Sequence, residues 1–345
     1  MVGVETQNLA SLQAQNHMKR SLITIAIFAV FGLVINLIRF WPDGKLHITF
    51  CDVGQGDSAY IRFPNQMDML IDGGPDKAVL SCLSRAMPFY DRSLNVVMLT
   101  HPQADHLNGL LDVFSRYDVG VFIAPSVGNA TDGYRKLLET IKQKKIYVKN
   151  LYAGSNLRFG DARVAILWPD RIWVSEKIGE TSCESMGTVC LAKTDGARVL
   201  GATTNVVGAT TKEDLNHFSF FAQLSYGTFD ALFTGDGDAK TQEAMRDYGR
   251  IVDASPADPI EVFKVPHHGS RTGIFGDFLD QLHAKIAVVS VGAKNNYGHP
   301  AKETLARLKE AGMDIFRTDQ NGAVEVVSDG KTFRMSPEKP QKITK

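Results

Sequence analysis

Three kinds of hydrophobic pattern follow one another along the chain. From residue 21 to 38 it is apolar apart from Ser21, Thr24, Gly32 and Asn36, with no charge between Arg20 and Arg39. That length is about the minimum for crossing a hydrocarbon core, and the run is apolar on nearly every face, which disfavours a buried soluble helix. No small-x-small cleavage site closes it. It ends in Arg39-Phe40-Trp41-Pro42, whose aromatic pair suits a membrane interface. The pattern predicts a polar tail over 1–20 and an uncleaved transmembrane anchor over 21–41. Lys19 and Arg20 before the span nearly balance Arg39 and Lys45 after it. The adjacent pair is the more concentrated charge, so the amino end is expected in the cytoplasm and the main domain outside.

From Lys45 onward short apolar runs alternate with tight turns and helical periods. Residues 46–53, 59–63 and 69–72 read as strands, 78–87 as a helix, and 96–100 as a buried strand. Leu107, Leu110, Leu111 and Phe114 then recur at helical spacing. A strand at 121–123, a helix at 134–142 and a hairpin over 157–168 follow. The span 170–212, rich in Gly, Ser and Thr, reads as a long insertion. Past it come a hairpin over 218–233 and strands at 260–265 and 286–291. Strands mixed with helices over 45–335 predict one α/β body, with a polar tail over 336–345.

Size and composition sharpen this. With 345 residues and 44% hydrophobic content the chain can bury a full core. The formal net charge is zero, which gives no support to a dedicated nucleic-acid binder while leaving room for a local basic groove. Lys142, Lys144, Lys145 and Lys149 read as a solvated helix end. Of four cysteines, Cys183 and Cys190 are expected to close a small disulfide loop outside the cytoplasm, and Cys51 and Cys82 to be buried thiols.

Chemistry gathers just after the strands. Asp52-Val53-Gly54-Gln55-Gly56-Asp57-Ser58 and Asp72-Gly73-Gly74 pair carboxylates with permissive glycines. The 96–100 strand runs into His101-Pro102-Gln103-Ala104-Asp105-His106, the 228–233 strand into Thr234-Gly235-Asp236, the 260–265 strand into Pro266-His267-His268-Gly269-Ser270, and the 286–291 strand towards Asn295-Asn296-Tyr297-Gly298-His299-Pro300. Five of nine histidines lie in these turns, where core histidines would be scattered. Imidazole with carboxylate is a ligand set for zinc, manganese or iron.

This order of motifs resembles the metallo-β-lactamase superfamily and, more narrowly, the hydrolase domain of ComEC-type competence proteins. The resemblance covers most of the chain from residue 46 to 300. It implies a four-layer αββα sandwich behind the transmembrane helix, with the site at one edge between the sheets. By the same resemblance the metal ligands are His101, Asp105, His106, Asp236 and His267 or His268, holding one or two ions of zinc or manganese. Two departures matter. Gln103 stands where the superfamily has a second histidine. The middle histidine motif is replaced by Leu215-Asn216-His217-Phe218-Ser219, similar to an Asn-x-x-Ser variant, with His217 available as a ligand. The position built on Asp105, His106, Asp236 and His267 or His268 is therefore expected to be the occupied one.

The implied chemistry is hydrolysis of a phosphodiester, with DNA as the substrate suggested by the ComEC resemblance. Asp236 would hold the metal and orient hydroxide, and Asp105 would act as ligand or base. The histidine of the 267–268 pair that does not bind metal, with His299 and the Ser270 hydroxyl, would hold phosphate oxygens. With one span the chain cannot form a pore, so the expected partners are the membrane, DNA and a separate channel subunit. Two other readings stand beside this: a cell-surface hydrolase of a small phosphodiester or phosphocholine ester, and a catalytically impaired binding or assembly module.

Overall fold

The structure, a computed structural model, describes residues 2–178, 209, 211–250, 252 and 254–340. The first helix, α1 (Val2–Arg39), begins ahead of the apolar run and carries straight through it. Within it, His17–Ile35 is long and apolar enough to cross a membrane, and its large apolar side chains, Phe28 and Ile25 among them, are exposed. The chain up to Pro42 groups with Met87–Asp91 as one unit, and the body comprises Asp43–Ala86 and the chain from Arg92 onward.

The body is built on two sheets. The first joins β1 (Leu46–Phe50), β2 (Ala59–Arg62), β3 (Asp68–Ile71), β4 (Ser93–Met98), β5 (Asp118–Ile123) and β6 (Tyr147–Lys149) in sequence order. The second joins β7 (Asn156–Phe159), β8 (Ala162–Trp168), β9 (Phe221–Tyr226), β10 (Phe229–Phe233), β11 (Val262–Lys264), β12 (Ile286–Val289) and β13 (Asp314–Arg317). The chain then returns to the first sheet, where β14 (Val324–Ser328) pairs antiparallel with β1 and β15 (Phe333–Pro337) covers its far edge.

The sheets face each other across a shared apolar layer. Ile48, Phe50 and Ile61 from the first meet Val164, Ala222 and Phe233 from the second, and the Phe63 and Phe159 rings stack at 3.9 Å. Helices cover the outer faces. On the first sheet lie α2 (Ala78–Ala86), α3 (Ala104–Arg116) and α4 (Asp132–Lys144), with Phe114 of α3 edge-on to Phe122 of β5 at 5.4 Å. On the second lie α5 (Arg171–Lys177), α6 (Ala239–Asp247), α7 (Phe278–Leu282) and α8 (Lys302–Glu310). Trp173, Met245, Phe278 and Leu308 of these helices pack with Leu232, Phe263 and Val289 of the strands. This is the four-layer αββα arrangement that the resemblance implied. Leu107 and Leu110 of α3 are fully buried, so truncating either to Ala would cost about 2–5 kcal/mol.

The strand directions explain why polar clusters follow strands. The neighbours β3-β4-β5 are parallel in one sheet, and β10-β11-β12 in the other. The turns after β3, β4, β10, β11 and β12 carry Asp72, His101 to His106, Asp236, the 267–268 pair and Ser290. The carboxyl ends of parallel strands are where such sheets place their ligands.

One expectation is corrected. Cys51 and Cys82 are joined in a disulfide, their Cα atoms 5.7 Å apart, and are not buried thiols. Both are sequestered, which is what their apolar contexts indicated, but burial does not reveal that two positions 31 residues apart meet. The bridge ties the end of β1 to α2. In the chain-entropy account a loop of that length stabilises by about 3–4 kcal/mol. Cys183 and Cys190 lie outside the described residues, as does most of the 170–212 insertion.

Candidate metal centre

The turn after β4 is a poor helix start by the rules of stability. Gln103 occupies the N-cap of α3 and makes no side-chain capping bond, where Ser or Asp would contribute about 1 kcal/mol. Asp105 lies in the first turn of α3 and His106 follows it, both turned towards the second sheet. From the other side come Asp236, after β10, and His268, after β11.

These four meet. One ligand atom each from Asp105, His106, Asp236 and His268 lies within 4.8 Å of every other. Nε2 of His106 is 3.2 Å from Oδ1 of Asp236, and Nε2 of His268 is 3.4 Å from its Oδ2 and 3.3 Å from Oδ2 of Asp105. The His106 and Asp236 atoms are buried yet make no aligned hydrogen bond.

Each imidazole is held from behind. Nδ1 of His106 lies 2.8 Å from Oδ2 of Asp72, and that carboxylate also accepts from the backbone N–H and hydroxyl of Thr100. Nδ1 of His268 donates to the carbonyl of Ser290 at 2.9 Å, with Oδ1 of Asp57 at 3.3 Å. With Nδ1 engaged in both rings, both Nε2 atoms face the cluster, the arrangement that outer partners give to metal-binding histidines. Asp57 is in turn paired with the buried ammonium of Lys264, which also donates to the Gly235 carbonyl at 3.0 Å. Close approach makes this possible at Gly56: a Cβ there would sit 2.2 Å from the Asp105 carbonyl oxygen.

The electrostatics fit a cation. Burial by itself disfavours charge on His106 and His268, yet Asp236, with Asp72 beside one ring and Asp57 beside the other, raises both well above the usual imidazole range. Burial pushes the Asp105 carboxyl up, but the facing His106 and His268 outweigh it and hold it at about 2. Asp57, Asp72, Asp105 and Asp236 all lie against these two rings, and Lys264 pairs with Asp57. Two oriented imidazoles and two carboxylates are a donor set suited to a divalent transition metal.

The remaining candidates fall at different distances from this cluster. His101 is buried beside His106, ring centroids 4.2 Å apart, with its Nε2 unpartnered. Burial and the neighbouring His106 push its pKa down to about 3, so it is neutral, but it is not one of the four converging groups. The sequence left His267 and His268 equivalent, and the backbone separates them. Both adopt positive φ, 50° and 53°, strained for non-glycine residues and a feature that clusters at functional sites. His268 is turned inward, whereas His267 is partly exposed, its Nε2 3.9 Å from Asp236. Ser270 bonds Thr272 and shapes the turn. The His299 ring lies 5.9 Å from that of His267.

His217 does not behave as an available ligand. Its Nδ1 is 2.7 Å from Glu213 and its Nε2 3.5 Å from Asp238, so both nitrogens are engaged. Of the Asn-x-x-Ser pair, Ser219 accepts from the Asp236 backbone N–H and Asn216 is buried. Lys264 was missed in the sequence. Its signal was a charged residue inside a strand whose neighbours Phe263 and Val265 are fully buried.

No protein-family model matches the chain. Among curated proteins it is 22% identical over 327 residues to ComE operon protein 3 of Bacillus subtilis, covering 89% of this chain and 36% of that protein. It is 35% identical over 302 residues to competence protein ComA of Neisseria gonorrhoeae, covering 87% and 35%. The chain is a homologue of the ComEC-type competence proteins. A third such homologue is recombination protein 2 of Haemophilus influenzae, at 24% identity over 305 residues, covering 87% and 31%. The chain thus spans about a third of the length of each of these relatives. Among solved structures, the metallo-β-lactamase fold protein YhfI of Bacillus subtilis aligns with 81% of this chain and 99% of its own at 11% identity, TM-score 0.42. A diphosphatase from the PhnP family aligns with 82% and 98% at 13% identity, TM-score 0.43.

Proposed function

We propose that the chain is a membrane-anchored, metal-dependent phosphodiesterase acting on DNA, with its body outside the cytoplasm. The observation that carries this reading is the four-group cluster with an outer partner behind each imidazole. Asp105, His106, Asp236 and His268 would hold one divalent ion, zinc or manganese. When bound, such an ion supplies Lewis-acid charge for a phosphoryl group and makes hydroxide available near neutral pH.

The chain's own residues do the rest. Asp72 and the Ser290 carbonyl fix the tautomers of His106 and His268, and Asp57, neutralised by Lys264, buttresses His268. Asp236 reaches both imidazoles and would hold the ion together with them. Asp105, held low, serves better as ligand than as base. His267 and His299 line the open side and would donate to phosphate oxygens. Ser270, bonded to Thr272, has a positioning role in that turn.

DNA is favoured as substrate because the relatives are named for competence and recombination. The outside location is supported by the Cys51–Cys82 disulfide, which persists in oxidising compartments, and by Lys19 and Arg20 ahead of the span. A separate channel subunit would complete a DNA-uptake machine. The zero net charge favours a second reading, hydrolysis of a small phosphodiester.

Metal analysis of the purified protein, followed by assay on DNA and on a small generic phosphodiester, tests this. Metal-dependent DNA cleavage that Asp236→Ala abolishes is expected. Absence of bound divalent ion would leave a binding module, and cleavage of the small ester alone would leave the second reading.

A further inference from the structure

The loop between β12 and α8 is more ordered than its exposure requires. Asn295 donates from Nδ2 to the carbonyls of Gly292 and His299, both at 2.8 Å, and its Oδ1 accepts from the backbone N–H groups of Tyr297 at 3.2 Å and His299 at 3.0 Å. One side chain therefore closes the loop with four hydrogen bonds. The Ala301 N–H donates to the Gly269 carbonyl at 2.8 Å, tying the loop to the turn that carries His267 and His268.

What this scaffold presents is an aromatic face. Tyr297 is 72% exposed. Its ring lies nearly parallel to that of His299, 15° between planes and 5.8 Å between centroids. His299 meets His267 edge-on at 5.9 Å, and His267 reaches to 3.9 Å from Asp236. A continuous line of rings thus leads from the carboxylate at the heart of the cluster to an exposed phenol. Lys294, three residues before Tyr297, and Lys302, five after it, are exposed. A single exposed tyrosine needs no explanation. One held by a hydrogen-bonded loop, stacked in a file that begins beside Asp236 and with exposed lysines on the same loop and at the start of α8, combines the stacking surface and backbone-neutralising charge used to bind single-stranded nucleic acid.

We infer that Tyr297, backed by His299, is a stacking platform for a nucleobase adjoining the scissile phosphodiester, so that single-stranded nucleic acid is held by base and phosphate together. This rests on the phosphodiesterase reading above and adds the substrate's strandedness. An unpaired base can lie flat on the ring, whereas a base inside a duplex is already stacked on both faces.

The test compares a single-stranded oligonucleotide with an abasic one of the same length, using the metal-loaded full-length protein. The native protein is expected to prefer the base-bearing strand about tenfold in kcat/KM, mainly through KM. Tyr297→Ala should collapse that ratio towards one, and Tyr297→Trp should retain it. Equal fractional losses on both strands in Tyr297→Ala, or a native protein that cleaves both strands equally, would overturn the platform alone. Cleavage of neither strand with metal bound would overturn the phosphodiesterase reading and the platform with it.

Discussion

The two sides of the metal centre are built unequally. On one side His106 and His268 each have an outer partner that fixes the ring, Asp72 and the Ser290 carbonyl, and a carboxylate in front. On the other, His101 packs against His106, its Nδ1 lies 3.2 Å from the Thr100 hydroxyl and its Nε2 is unpartnered, and two residues on in sequence stands an amide, Gln103. A metal-binding imidazole is defined as much by what holds its far nitrogen as by its position. On that measure the first side has rings anchored by a carboxylate and a carbonyl with carboxylates in front, and the second has a neutral histidine held by a hydroxyl and outside the four-group cluster.

Breaking the first side should have the largest effects. Asp236→Ala removes the carboxylate that lies 3.2 Å from Nε2 of His106 and 3.4 Å from Nε2 of His268. Metal affinity measured by competition with a chelator should fall by more than about 100-fold, beyond what loss of an outer partner costs. Next in size is the support itself. Asp72→Asn keeps the shape but weakens the hold on His106, and metal affinity should fall about 10- to 100-fold while the circular dichroism spectrum is retained. Unchanged affinity would mean that Asp72 serves the fold alone.

The disulfide reports on the same side from below. Cys51 directly precedes the turn carrying Asp57, which backs His268. Replacing both Cys51 and Cys82 with Ala should destabilise the body by about 3 kcal/mol in urea titration. A midpoint indistinguishable from the native one would show that the bridge does not constrain the unfolded chain.

What could be read from the sequence follows the range of the interactions involved. The β4 strand and the period of Leu107, Leu110 and Phe114 are local patterns; α3 contains the periodic residues, and β4 overlaps the expected strand at 96–98 but begins three residues earlier and ends two residues sooner. The candidate residues were recognisable because parallel strands end at one edge, so short motifs far apart in sequence converge without any being individually decisive. The choice between His267 and His268 was not, because it is made by two successive left-handed backbone conformations that neither residue type announces. The partner of Cys51 was equally hidden, since an apolar context describes a bridged cysteine and a free one alike. Lys264 joins Asp57 across more than 200 residues, and only the assembled sheets show why a strand interior should carry an ammonium group.

The smallest expected effect lies away from the centre, where His217 is engaged as an ion-pair partner and so is no rival ligand. Burial lowers its pKa, but Asp238 and Glu213 outweigh this and raise it above the usual value. A raised folded-state pKa means stability that is full below the unfolded value and lost as pH rises through the folded one. Glu213→Gln should therefore cost about 1 kcal/mol near pH 6 and less near pH 9. A loss that grows with pH would reverse the assignment of charge on His217.

The inequality of the two sides is tested most directly by the number of metal ions the full-length protein holds. Titration of native protein with zinc or manganese is predicted to give one tight site, abolished by His268→Ala. Gln103→His should add a second, weaker site by supplying the missing imidazole beside His101. Two tight sites in the native protein, or a tight site that survives His268→Ala, would contradict the account.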